Sequence, residues 1–284
     1  ICYESDLQNK IGIMQGRLSK PIENNIQIFP KNTWKTEFDI AEKIGFELIE
    51  YIFDSYENPI LTDKGLVEIK SILDKSNIQI NSVCADYFMK NLLFDVSTKQ
   101  LEQNLKILNQ LIRQCSKIGI KIIELPFVDS SSLLPKNKIN EIIVNLQKSV
   151  STLEEYNICI ALETDLPPNQ FFELLTNFDN PLIKANYDIG NSVYKGYNIS
   201  KELEILKKFI VNIHVKDRKI KSSTVPLGTG DVDFDLFFKL LSKMNYSKDL
   251  IIQGAREDLN GSNIEPYDTC SKYLTFVKNF MSKY

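Results

Sequence analysis

Two stretches of the chain, KIGFELIE at residues 43–50 and KIGIKIIE at residues 117–124, repeat one pattern and decide the fold. Each follows a segment whose apolar residues recur near i, i+4 and i+7, which places them on one face of a helix. The glycine of each stretch stands where a helix commonly ends in a left-handed residue. A short apolar run then follows and ends in glutamate. Both stretches therefore predict a helix that leads directly into a buried β-strand.

The same unit of strand and helix recurs along the whole chain. A second similar pair, SNIQINSV at 76–83 and YNICIALE at 156–163, also predicts strands entered from helices. Further candidate strands lie at residues 10–14, 182–187, 210–215 and 250–253. Alternating strands and helices favour parallel pairing, and eight units without a linker favour one closed (β/α)₈ barrel, a TIM barrel, over residues 1–284. The alternative is an open doubly wound sheet. The glycine-rich fingerprint typical of that fold does not follow the first predicted strand of this sequence.

Composition and charge exclude some classes of partner. Hydrophobic residues make up 43% and charged residues 25% of the chain, as in globular proteins, and the formal net charge is −3. This charge gives no general attraction to nucleic acid or to an anionic membrane, and no apolar run reaches the ~20 residues of a membrane helix. The five cysteines are scattered, which is typical of reduced thiols. We therefore expect a cytoplasmic protein with a small-molecule partner, and we allow for a homodimer.

Polar residues stand at the ends of the last four predicted strands. These residues are Glu163, Asp188, His214 and Gln253, and His214 is the only histidine of the chain. Because the carboxyl ends of the strands meet at one face of a barrel, we expect the four side chains to lie together. Carboxylate, imidazole and amide ligands suit a divalent ion such as Mn²⁺, Mg²⁺, Co²⁺ or Zn²⁺. A lone histidine is more often a core residue bonded to the backbone, but the three neighbouring strand ends favour a metal ligand.

Five motifs follow one another along the chain: GIMQGRLS at 12–19, LETD at 162–165, NYDIGN at 186–191, IHVKDR at 213–218 and PLGTGDVDF at 226–234. In this order they resemble the xylose isomerase-like barrels of sugar isomerases and ketose 3-epimerases. The resemblance implies proton transfer next to the carbonyl of a ketose or ketose phosphate. It also implies one divalent metal ion held by Glu163, Asp188, His214 and a residue after the eighth strand, with Glu163 as an acid–base group. The AP endonuclease branch of these barrels uses many histidines, which does not suit a chain with one.

Gln253 departs from the family pattern, in which a second glutamate usually ends the eighth strand. An amide oxygen can coordinate a metal but cannot accept a proton near neutral pH, so the second base of an epimerase is missing there. Glu257, four residues further on, is one candidate to replace it. Another strand end, Glu50, Glu124 or Asp86, is a second candidate. A reaction that needs one base, such as a dehydration or an aldol cleavage, and a non-catalytic sugar-binding barrel are the remaining alternatives.

Several further polar residues are candidates for contact with the substrate. The family places a carboxylate and a basic residue soon after the histidine, which assigns Asp217 and Arg218 to the sugar or to its phosphate. Asn191 is a second departure, since a histidine often stands three residues after the sixth-strand aspartate. The other candidates lie at strand ends or just beyond them: Arg17, Glu50 and Arg256.

Overall fold

The structure of the protein is a computed structural model, which describes residues 9–134, 136–259 and 263–284. Within these residues, eight parallel strands close into a barrel in which neighbours in the chain are neighbours in the sheet. The strands are β1 (Ile11–Met14), β2 (Leu48–Ile52), β3 (Ser82–Cys84), β4 (Ile122–Phe127), β5 (Cys159–Thr164), β6 (Ile183–Asp188), β7 (Ile210–Val215) and β8 (Leu250–Ile252). The last strand pairs with the first, which confirms the predicted (β/α)₈ barrel.

Helices connect the strands. They are α1 (Thr36–Ile44), α2 (Asp63–Leu73), α3 (Thr98–Lys117), α4 (Lys136–Gln147), α5 (Val150–Tyr156), α6 (Pro168–Phe178), α7 (Ile189–Lys195), α8 (Ile199–Leu206), α9 (Phe234–Lys243) and α10 (Pro266–Met281). Within the described ranges, none of them is both long enough and apolar enough to cross a membrane.

Short additional elements follow several strands at their carboxyl ends. Single 3₁₀ turns lie after β2, β3 and β4, at Pro59–Leu61, Asp86–Met89 and Asp129–Ser131. An antiparallel hairpin of Asp217–Arg218 with Thr224–Val225 follows β7. Since these insertions lie at one end of the barrel, they shape its carboxyl face.

The helix endings expected from the repeated stretches are present. Gly45 after α1 has φ 100° and Gly119 after α3 has φ 82°, so both adopt the left-handed conformation that glycine tolerates best. Helix α3 begins with a capping box, in which Ser97 and Gln100 satisfy each other's backbone N–H groups. These local signals explain why the sequence pattern predicted the entry into β2 and β4.

Strands β2, β3 and β4 differ from the prediction in ways that bear on the site. Strands β2 and β4 continue past Glu50 and Glu124, which we expected at their ends. In the register of the sheet, Pro126 of β4 stands beside Glu163 of β5, so Glu124 lies one layer deeper in the barrel. The strand expected at 76–83 is reduced to β3, preceded by an isolated bridge at Gln79. The two glutamates therefore lie inside the barrel and not at its rim.

Candidate active site

A cavity of about 370 Å³ opens at the carboxyl ends of the strands. Its acidic lining residues are Asp86, Glu124, Asp129 and Glu163. Its basic lining residues are Arg17, Lys216 and Arg218. A second cavity of about 400 Å³ lies beside Asn9 and Leu250 at the opposite end of the barrel, away from these groups. The first cavity, with charged groups of both signs, suits a small polar ligand.

Three of the four side chains expected to hold a metal come together beside this cavity. Glu163, Asp188 and His214 each offer one ligand atom, and the three atoms lie within 4.8 Å of one another. All three side chains are buried. Asp188 also begins α7, because its Oδ1 accepts the N–H of Asn191 at 2.8 Å. The barrel therefore brings together Asp188, the last residue of β6, with Glu163 and His214, the penultimate residues of β5 and β7.

His214 lies between two carboxylates. Its Nε2 is 2.6 Å from Glu50 Oε1, and its Nδ1 is 3.1 Å from Glu163 Oε2. Ser82 and Asn212 also donate to Glu50, which fixes that carboxylate inside the barrel. Burial acts to lower the pKa of His214, but the adjacent carboxylates outweigh it and raise that pKa well above its usual value.

Glu50 therefore does not have the position expected of a substrate contact. It is fully buried and absent from the cavity wall, and it supports His214 from below. A carboxylate that holds one ring nitrogen of a histidine is the usual outer support of a metal-binding histidine. This contact leaves Nδ1 of His214 directed toward Glu163. The donor set thus fits a divalent cation at three positions: two carboxylate oxygens and one imidazole nitrogen.

The fourth expected ligand, Gln253, makes a different contact. Its Oε1 accepts a hydrogen bond from Lys216 Nζ at 3.0 Å, and its Nε2 donates to Gln27 Oε1 at 2.9 Å. The same ammonium forms a salt bridge with Asp188 Oδ2 at 2.9 Å. Sequence analysis had not assigned Lys216 to the site. The available signal was its position two residues after His214, which places both side chains on one side of an extended chain.

Asparagine side chains hold Glu163 in place. Asn191 Nδ2 donates to Glu163 Oε1 and Asn186 Nδ2 donates to Glu163 Oε2, both at 2.7 Å. Arg218 donates from Nη1 to Asn191 Oδ1 at 3.0 Å, and its guanidinium lies 4.0 Å from the ring centre of Tyr194. Asn191 and Arg218, both expected to contact the substrate, therefore lie in the cavity wall next to Glu163.

Asp217 is turned away from the cavity, and its expected contact with a sugar is corrected. It is fully buried, and its carboxylate accepts the backbone N–H groups of Gly228, Gly230 and Val232. A carbon added at Gly230 would lie 2.2 Å from Asp217 Oδ1, so only glycine at this position allows the loop to approach the carboxylate so closely. The PLGTGDVDF motif is therefore explained by a loop folded around Asp217.

Glu257, the expected replacement for the missing base, is not brought to Glu163. It forms a salt bridge with Lys272 of α10 at 3.3 Å and is absent from the wall of the carboxyl-face cavity. Because β8 ends at Ile252, the chain has already turned outward four residues beyond Gln253. The assignment of Glu257 as a catalytic group is therefore corrected.

The two arginines beyond strand ends hold loops together. Arg256 donates to the carbonyl oxygens of Gly16 and Ser19 and pairs with Asp258 at 2.9 Å. It is absent from the cavity wall, so its expected substrate contact is also corrected. Arg17 does line the cavity, but its Nε donates to Gly254 O at 3.0 Å and its Nη1 to a carbonyl of the loop after β1.

Besides Glu163 and Asp129, the carboxyl groups of Asp86 and Glu124 line the cavity, on the side of β3 and β4. Glu124 is fully buried, and within the described residues neither of its oxygens has a hydrogen-bond partner. Burial raises the pKa of Glu124 well above its ordinary value, and the nearby Glu163 raises it further. Asp86 accepts a hydrogen bond from Gln27 Nε2 at 2.7 Å, and burial raises its pKa as well. Of the acids considered as a second base, these two are the ones that reach the cavity.

Comparison with known proteins agrees with this architecture. The chain is 24% identical over 262 residues to the L-ribulose-5-phosphate 3-epimerase of Escherichia coli strain SMS-3-5, covering 88% of this chain and 90% of that protein. A solved structure of the IOLI protein with a binding zinc atom has a TM-score of 0.77 at 17% identity, covering 97% of this chain and 99% of that one. D-psicose 3-epimerase from Clostridium cellulolyticum H10 with D-tagatose has a TM-score of 0.76 at 12% identity, covering 96% and 99%.

The two solved structures share the fold of this chain at low identity. A broader relationship comes from the family model described as the xylose isomerase-like TIM barrel, which matches residues 38–266. This range runs from α1 to the start of α10 and includes every strand after β1. The chain therefore belongs to the xylose isomerase-like TIM barrel family.

Proposed function

We propose that the chain is an isomerase or epimerase that moves a proton next to the carbonyl of a ketose or ketose phosphate. The observation that carries the proposal is the cluster of Glu163, Asp188 and His214, whose ligand atoms lie within 4.8 Å of one another beside a polar cavity. The relatives named as L-ribulose-5-phosphate 3-epimerase and D-psicose 3-epimerase support this substrate class.

We infer that Glu163, Asp188 and His214 would hold one divalent ion. Such an ion, when bound, polarises a carbonyl oxygen and stabilises the negative charge that develops as the neighbouring proton leaves. Mn²⁺, Mg²⁺, Co²⁺ and Zn²⁺ all accept carboxylate or imidazole ligands, so the donor set is compatible with each of them. The zinc atom of the IOLI structure supports a divalent ion in this fold.

Glu163 is the proposed base. Its two oxygens accept hydrogen bonds from Asn191 and Asn186, which hold the carboxylate at the cavity wall. A carboxylate so placed can take the proton from the carbon next to the carbonyl and return it to a neighbouring carbon. Epimerisation also needs a group that delivers a proton to the other face of that carbon. Since Gln253 cannot take this role, we assign it to Asp86 or Glu124, which line the same cavity.

The basic side of the cavity suits an anionic end of the substrate. Arg218 lines the cavity beside Ser223 and Thr224 and is held by its contacts with Asn191 and Tyr194. A guanidinium that is fixed in this way loses little side-chain freedom on binding a phosphate. We therefore propose a ketose phosphate, oriented with its phosphate toward Arg218, as the better substrate.

The test measures incorporation of solvent deuterium into ketoses and ketose 5-phosphates in the presence of Mn²⁺. The wild-type protein should exchange the proton next to the carbonyl, and Glu163→Gln should lower this rate about 10²- to 10⁴-fold. Glu155→Gln, which changes an exposed glutamate of α5, is the matched control and should keep the wild-type rate. Manganese-loaded wild-type protein that neither exchanges nor converts any sugar of the panel would contradict the proposal.

Gln253 favours a second candidate, a sugar-binding barrel without catalysis. The neutral amide stands where a second acid–base group was expected, and both of its polar atoms are already bonded, to Lys216 and Gln27. Such a protein would bind a ketose phosphate in calorimetry and would leave its C–H bonds unexchanged in deuterated water. Binding without exchange would therefore replace the first candidate by the second.

A further inference from the structure

The ammonium group of Lys216 lies among the oxygen atoms of the proposed metal site. Its Nζ is 2.9 Å from Asp188 Oδ2, 3.0 Å from Gln253 Oε1 and 3.4 Å from Asn191 Oδ1. The side chain of Lys216 is 14% exposed and that of Asp188 is 1% exposed. One positive charge of the protein thus bridges a ligand carboxylate and the residue at the fourth position.

The backbone around β7 fixes this lysine in the site. Lys216 directly follows β7 and precedes the hairpin, so its main chain is held on both sides. Its stem packs against the backbone of α7, where a carbon added to Gly190 would lie 2.8 Å from Lys216 Cγ. The ammonium is therefore directed at Asp188 by packing as well as by charge.

A divalent ion held by Asp188 would compete with this ammonium for the same carboxylate. Two positive charges a few ångströms apart repel strongly in a buried site, where solvent screens them little. The cluster of ligands contributes the carboxylates of Glu163 and Asp188, while Gln253 is neutral. The three residues that Lys216 contacts carry one negative charge, that of Asp188, and no second carboxylate among them could hold the ammonium and a divalent ion together.

We propose that Lys216 is an internal counter-cation of this site, which neutralises Asp188 in the metal-free protein and leaves it when a divalent ion binds. The proposal rests on the proposed function, because it takes Glu163, Asp188 and His214 as the ligands. A lysine released from Asp188 can turn into the cavity, whose wall it already forms, and meet an anionic oxygen of the substrate.

The test compares binding of Mn²⁺ alone, without any sugar, by isothermal titration calorimetry. Lys216→Met keeps the apolar stem that packs on Gly190 and removes the charge. It should bind Mn²⁺ roughly 10- to 100-fold more tightly than the wild type, the range in which residues touching metal ligands act. Lys219→Met is the matched control, because it removes the same charge from an exposed position of the same loop. It should leave the affinity unchanged.

Unchanged or weaker binding of Mn²⁺ by Lys216→Met would overturn the proposal, and weaker binding would show that the lysine supports the ligands. Absence of binding in both proteins would overturn it too. If circular dichroism shows that the variant does not fold, wild-type crystal structures with and without Mn²⁺ decide. Lys216 Nζ must lie beyond hydrogen-bonding distance of Asp188 in the loaded crystal. Since no sugar is used, failure here leaves the isomerase proposal to the deuterium exchange test.

Discussion

Replacement of Glu202 by glutamine should change how stability depends on pH. Glu202 lies on α8, where it contacts Tyr187 of β6 and Ser192 of α7, and it is buried. Its carboxylate accepts hydrogen bonds from Tyr187 Oη at 3.0 Å and from Ser192 Oγ at 2.8 Å. Burial raises the pKa of Glu202 from 4.5 to about 7, against the opposing effect of these two hydrogen bonds. The charged form is therefore less favourable in the folded protein than in the unfolded chain.

The size and the sign of the effect follow from this pKa. The difference between 4.5 and about 7 corresponds to about 3 kcal/mol. Because the folded pKa is the higher one, the stabilisation is fully present below pH 4.5 and is lost as the pH rises through about 7. Glutamine keeps a neutral side chain of the same shape, whose amide can bond to the hydroxyl groups of Tyr187 and Ser192.

The assay is urea unfolding of wild type and Glu202→Gln between pH 4.5 and 8. The free energy of unfolding of the variant, relative to wild type, should rise by about 3 kcal/mol across this range. The contributions of other titrating groups cancel in this difference. Glu204→Gln, an exposed change on the same helix, is the control and should follow the wild-type curve. A constant difference between variant and wild type at all pH values would refute the raised pKa.

Three further changes test the site and its loop. Glu50→Gln should weaken Mn²⁺ binding in calorimetry about 10- to 100-fold, because it removes the carboxylate that holds His214; an unchanged affinity would contradict this support. Gly230→Ala should lower stability by about 2 to 4 kcal/mol in thermal unfolding, since the added carbon clashes with Asp217; a wild-type melting temperature would disprove the clash. Gln253→Glu should tighten Mn²⁺ binding about tenfold or more by adding a charged ligand, and calorimetry identical to wild type would argue against a fourth ligand there.

The fold was predictable because its signals are local and repeated. Each helix stripe and each glycine at a helix end depends on residues within a few positions of one another. The closing of eight such units into a barrel then places every strand end on one face. For this reason the sequence order of Glu163, Asp188 and His214 was enough to expect them together, although they come from three different strands.

The depth of a side chain inside the barrel and the course of a loop could not be predicted in the same way. A strand that continues two or three residues past a glutamate moves that side chain from the rim into the interior, as in Glu50 and Glu124. The structural role of Asp217 depends on a later loop, which folds back and donates three backbone N–H groups to its carboxylate. The glycines of such a loop are visible in the sequence, but the sequence does not show which carboxylate the loop surrounds.

The charges at the end of β6 and β7 connect these observations. Asp188 is balanced by Lys216, and Glu163 faces His214, whose other nitrogen is held by Glu50. The site is thus neutralised from within by Lys216 and His214, and in our proposal a divalent ion would displace Lys216 and bind to His214. A neutral residue at position 253 is consistent with such an exchange, because a further carboxylate would bind the lysine more firmly as well as the metal. The substitution that looks like a lost base in the sequence therefore has a second consequence: among the three side chains that Lys216 contacts, Asp188 alone is a carboxylate.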